Sequence, residues 1–226
     1  LAAGTHKTYE RTLGVSGGDA ATRYNLGGTL NESRGIDNTG SDLGDNHDDD
    51  ALRNRALSMN LSHQFNDDLE VGLSALDQRG KTEWDDIYYG TRPYDDFQLS
   101  TAAGYISNRF SDSWLSRLEA GHSEDKRDTK NDDALGTLYT YNTYHNSANW
   151  LNTVQLNERN QVLAGLDWYE DILHSSTDFN QTSRWNQAAY AQHRFQAERF
   201  STELGMRHDD NQDFGSQNTW NGALSV

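Results

Sequence analysis

The chain has 226 residues, a formal net charge of −16, no cysteine and one proline, Pro93. The charge speaks against nucleic acid, whose phosphates would be repelled, and the missing cysteines exclude a disulfide scaffold or a thiolate metal site. A mean hydropathy of −0.95 is that of many disordered chains, but Trp, Tyr and Phe make up 11% of the residues, which disordered chains rarely carry.

No run approaches the roughly 20 apolar residues of a membrane helix. That absence leaves a β-barrel open, because a spanning strand needs only about 10 residues with alternate ones apolar. Taken in chain order, the first punctuation is a short turn, Gly17-Gly18-Asp19-Ala20. An acidic, glycine-rich loop follows, from Gly35 through Asp37, Asp42, Asp45 and Asp48 to Asp50. Bases are few there, so a hard cation is the natural counter-charge, and calcium prefers carboxylate and carbonyl oxygens.

From Leu57 to Phe65 the chain alternates: Leu57, Met59, Leu61 and Phe65 on one face, Ser58, Asn60, Ser62 and Gln64 on the other. The same period of two predicts strands at Leu69–Ala75, Trp114–Gly121, Tyr139–Tyr144, Val162–Trp168, Thr202–Arg207 and Trp220–Val226. Further short turns are expected at Asn66-Asp67-Asp68, Ser111-Asp112-Ser113, Asn157 to Asn160 and Gln196 to Arg199. Longer polar loops are expected near 34–50, 80–96, 126–136, 174–185 and 210–217. Short and long connections alternate, which predicts an all-β, antiparallel up-and-down transmembrane barrel with about eleven strands in this chain. Phe65, Phe110, Trp114, Phe195 and Phe200 flank the short turns, as a lipid-boundary girdle would. A soluble β-sandwich is the competing fold.

These residues resemble the barrel of TonB-dependent outer-membrane cobalamin receptors. The likeness is carried by Thr22-Arg23-Tyr24-Asn25-Leu26-Gly27-Gly28, Glu32-Ser33-Arg34-Gly35-Ile36-Asp37 and Asp48-Asp49-Asp50. It continues through Trp84-Asp85-Asp86-Ile87-Tyr88-Tyr89, Gly165-Leu166-Asp167-Trp168 and Arg207-His208-Asp209-Asp210-Asn211 to Thr219-Trp220. The resemblance implies a 22-stranded barrel of which residues 1–226 form part of the first half, with no plug domain in the chain. It implies cobalamin as ligand, outer-membrane lipid around the wall, and TonB acting through a plug. It also implies calcium at the outer loops, held by Asp37, Asp48, Asp50, Asp85 and Asp95. Two departures from the family pattern are Ala51, where a glycine is usual, and the extra acid Asp49; Asp42, Asp45, Asp86 and Asp96 are substitute ligands.

Spacing agrees with that assignment: Asp37 and Asp48 close one loop, and the neighbouring hairpin supplies the rest. The acids lack the spacing of an EF-hand. Trp84, Tyr88 and Tyr89 either pack on the corrin or belong to the outer aromatic girdle. The alternative readings are a self-contained acidic pore (a porin) or an outer-membrane hydrolase. For the latter, His208-Asp209-Asp210, His174-Ser175-Ser176 and His122-Ser123-Glu124 are the candidates. Adjacent strand residues face opposite ways, so the reading expected here is a receptor and not an enzyme.

Overall fold

The computed structural model describes residues 1–38, 48–85, 91–132 and 136–226. They form one antiparallel sheet of twelve strands in sequence order. The strands are β1 Ala2–Ala3, β2 Tyr9–Gly18, β3 Thr22–Ser33, β4 Leu52–Gln64, β5 Leu69–Glu83 and β6 Pro93–Ser111. They continue as β7 Trp114–Asn131, β8 Thr137–Asn157, β9 Asn160–Ser175, β10 Ser183–Gln196, β11 Ser201–Asn211 and β12 Gly215–Ser225. Eleven are full strands, as the alternation predicts; β1 is a two-residue pairing with β2 too short to show a period. Among the described residues there is no second sheet, and a single twelve-stranded up-and-down sheet is not a sandwich. Among the described residues the buried apolar core amounts to Ala188, which suits a wall one sheet thick.

The short turns are built by one recurring device. The Asp19 carboxylate accepts from the amides of Ala21 and Thr22 at 2.8 and 2.7 Å. Asn66 Oδ1 does the same for Asp68 and Leu69, and Asn157 Oδ1 for Arg159 and Asn160. A short side chain that caps two amides makes a tight reversal cheap. The amides also hold the Asp19 carboxyl below the usual carboxylate range.

Register separates the two faces. Pairing places Leu13, Leu26, Leu57, Met59, Leu61, Leu73, Ile106, Leu118, Leu166, Met206 and Trp220 on one side. Many of these are well exposed, Leu13 at 81%, Leu57 at 65% and Met206 at 69%. So large an exposed apolar band is stable only against lipid. The opposite face is polar and cross-linked. Arg23 pairs with Glu70 at 2.8 Å, Tyr105 donates to Glu70, and the Arg117 guanidinium lies 3.6 Å from the Tyr105 ring centre. Further along, Arg207 bridges Asp167 and Asp209. Gly72 sits directly opposite Tyr105, and a Cβ there would lie 2.2 Å from the ring, so glycine makes room for this lumen network.

The stagger of the strands is also visible. One register row runs Thr22, His63, Val71, Ile106, Leu118, Trp150, Leu166, Ala189 and His208. Thr22 abuts its short turn, whereas Ala189 and His208 lie well along their strands from theirs. Turns at one membrane boundary drift across rows in this way only when strands are tilted to the barrel axis. At that boundary rings meet in pairs: His63 with Phe65 at 4.5 Å, Phe110 with Trp114 at 4.6 Å, and Phe195 with Phe200 at 5.7 Å.

The long-loop end differs from expectation. Much of 80–96, 126–136, 174–185 and 210–217 is paired strand. β6 has 19 residues and β8 has 21, where about 10 cross a bilayer. Above the apolar band both faces turn polar, so hydrophobic alternation stops while the ladder goes on. Same-face ion pairs hold these extensions: Asp77 with Arg79 at 2.9 Å, Lys81 with Glu83 at 3.0 Å and Glu124 with Lys126 at 2.7 Å.

Candidate functional site at the long-loop end

The acidic segment is tied down at its base. Gly35 adopts φ +76, and the Asp50 amide donates to the Ile36 carbonyl at 3.1 Å. A Cβ on Gly35 would fall 1.8 Å from the Asp50 oxygen. A side chain there is therefore excluded both by conformation and by backbone. Asn38 Nδ2 donates to Asp50 Oδ2 at 2.8 Å.

The same segment is laced to the next hairpin. The Glu83 amide donates to the Ala51 carbonyl at 3.0 Å, and the Ala51 amide donates to Glu83 Oε2 at 3.1 Å. The Trp84 amide donates to the Pro93 carbonyl, closing the β5–β6 hairpin beside it. This lacing brings Asp48, Asp50 and Asp85 into one electrostatic neighbourhood. Burial, then the Asp85 charge, then that of Asp48 push the Asp50 pKa above the usual carboxylate value, against the Asn38 hydrogen bond.

The segment itself holds few bases, as expected, but two reach it from its flanks and from the next hairpin. Arg34 pairs with Asp49 at 2.8 Å and Arg92 with Asp48 at 3.5 Å. Asp37 is exposed, next to the Ile36–Asp50 clamp. Asp95 belongs to β6, on the lumen face, where Thr129 donates to it at 2.7 Å and Arg127 lies at 3.8 Å. Asp96 pairs with Lys130 at 2.6 Å. Trp84 is 41% exposed beside the site; Tyr88, Tyr89, Asp42, Asp45 and Asp86 lie outside the described residues. Among the described residues no three acids or histidines form a closed metal cage. The donors are nonetheless of the kind calcium takes.

Replacing Gly35 by Ala tests the clamp. Forcing a side chain into this backbone costs about 1–3 kcal/mol, so amide hydrogen exchange in residues 34–50 should quicken on the order of tenfold, with unchanged exchange in β7 and β8.

Sequence reasoning missed a second feature, a cavity of about 570 Å³ on the lumen side of β6–β10. His145 Nδ1 meets Asp171 Oδ1 at 2.7 Å, and Arg184 donates to Asp171 at 3.1 Å. Tyr169 stacks on His145 at 5.4 Å. The four residues sit on three strands, and only the register aligns them.

The candidate hydrolytic triplets do not assemble. His208 faces Asn218 while Asp209 turns to Arg207 on the lumen side. His174 packs on Tyr144. His122 and Glu124, two apart, do share a face at 3.3 Å, but Ser123 points the other way.

The fold is like a stretch of the barrel wall of solved outer-membrane transporters and receptors. It matches the FrpB iron transporter of Neisseria meningitidis with a TM-score of 0.75 at 12% identity, covering 97% of this chain and 41% of that one. The siderophore receptor PirA of Acinetobacter baumannii matches at 0.72 and 14%, covering 98% and 39%. The sequence is similar to vitamin B12 transporters BtuB: 25% identical over 177 residues for Photobacterium profundum and 27% over 187 for Vibrio cholerae. Those matches cover 76% and 80% of the chain, which spans under a third of either relative, 28% and 29%. No family model matches. All four similar proteins bear transporter or receptor names and none an enzyme name.

Proposed function

We propose that the chain is part of the wall and mouth of a TonB-dependent outer-membrane transporter for cobalamin, with outer loops ordered by calcium. The observation that carries the calcium reading is the lacing of Ala51 to Glu83, which sets Asp48 and Asp50 against Asp85. The cobalamin reading is supported by the vitamin B12 transporters among its relatives and by the in-order match of short motifs.

The chain's own residues supply three things. Gly35, Ile36 and Asn38 fix the base of the acidic loop. Asp48, Asp50 and Asp85, with Asp37 across the clamp, offer oxygens from two hairpins, and Asp95 would need to leave Thr129 to join them. Calcium, when bound, supplies positive charge that balances these carboxylates. A loop stiffened beforehand spends less entropy when a rigid corrinoid settles on it. Trp84 offers a flat apolar face there, and His145, Asp171 and Arg184 offer polar contacts to amide side groups of the ligand. Movement of a plug coupled to TonB, outside this chain, would then open the path. Cyanocobalamin binding by the full-length protein, set against ferric siderophores, tests the reading.

A further inference from the structure

On the lipid-facing side of β2–β5, at the upper margin of the apolar band, lies an open groove of about 870 Å³. Its floor is apolar: Leu13 and Leu57 flank Gly28 in one register row. With no side chain on Gly28 the floor is lower there; an added Cβ would touch Leu57 at 3.4 Å. The next row outward carries Arg11, Leu30, Arg55 and Arg79.

The charges above this floor do not cancel. Arg11 and Arg53 share a single acid, Glu32, at 2.8 and 3.3 Å. Asp77, on the rim, is taken by Arg79. Arg55 is exposed and has no ion pair among the described residues. Four guanidiniums against two carboxylates leave a positive surplus on a chain whose net charge is −16. An unpaired arginine beside exposed leucines at a membrane boundary is costly unless something both anionic and acylated covers them.

We propose that this groove binds a phosphate-bearing, acylated lipid of the outer leaflet. An acyl chain lies over Gly28 between Leu13 and Leu57, and the phosphate accepts from Arg55 and from Arg11, whose forked donors suit phosphate oxygens. One strand, β3, lies between these arginines, and two inter-strand spacings make about 10 Å, so one headgroup spans them. The site lies outside the barrel and stands whatever ligand passes through it.

The test is lipid titration of the detergent-solubilised full-length protein, read by native mass spectrometry. The probes are the diphosphorylated acylated glucosamine disaccharide at the base of lipopolysaccharide and the same lipid without phosphates. The native protein should favour the phosphorylated form by about tenfold or more, the worth of one charged hydrogen bond. R11A/R55A should bring that ratio near one, R55K should keep most of it, and Leu57→Asn should weaken both lipids together. Equal binding of the two lipids by the native protein, or an unchanged ratio in R11A/R55A, would overturn the proposal.

Discussion

Exchanging Asp48 and Asp50 together for Asn is expected to weaken cobalamin binding by the full-length protein on the order of 5- to 150-fold, the usual span of coupling between two sites. Calcium chelation should do the same to the native protein and add nothing to the variant. The direction is informative because the loop without metal predicts the opposite for stability. Asp50 is held above its usual pKa by burial and by Asp85 and Asp48, so neutral amides relieve repulsion at the loop base. If these acids served only the local fold, the variant would be as well ordered as the native loop and would bind as well. Loss of affinity together with loss of calcium dependence is therefore the signature of metal coupling. Isothermal titration with and without chelator reads both, and binding indifferent to chelator in the native protein would remove calcium from the account.

Leu73→Arg should destabilise the barrel by about 2–4 kcal/mol, the cost of a guanidinium at the middle of a lipid-facing band. Leu73 is 42% exposed with Leu61 and Gly104 as its register partners, so its side chain stands in the apolar belt. Ser74→Arg, one residue on, faces the lumen, where polar groups and ion pairs already lie, and should stay within about 0.5 kcal/mol. Unfolding in urea from lipid vesicles measures both. Similar effects for the two positions would contradict the assignment of the faces.

The contrast between neighbours explains what could be read from the residues. Where one face meets lipid, as at Leu57, Met59 and Leu61, hydrophobic alternation marks strand, face and turn together. The girdle rings and the Asp19, Asn66 and Asn157 turns were legible for the same reason, since each has a local cause. Above the band both faces of β6–β9 meet water, so nothing in the pattern distinguishes Asp95 in a strand from Asp85 in a loop. The partners of the acids were also hidden: Arg34 reaches Asp49, and Arg92 from the next hairpin reaches Asp48. The His145–Asp171–Arg184 cluster and the Arg11–Arg55 groove were not legible for a further reason. Their members lie on different strands and meet only once the register is set. The Gly35 clamp lay between these extremes, since the glycine stood out but its carbonyl partner, Asp50, did not.

This wall is proposed to belong to a cobalamin receptor, while the similar solved proteins are named for iron and siderophores. Calorimetric titration of the full-length protein in calcium, with cyanocobalamin and in parallel with ferric catecholate and hydroxamate siderophores, addresses it most directly. Saturable binding of cyanocobalamin with no heat from either siderophore is the result predicted. Saturable siderophore binding with none for cyanocobalamin would contradict it.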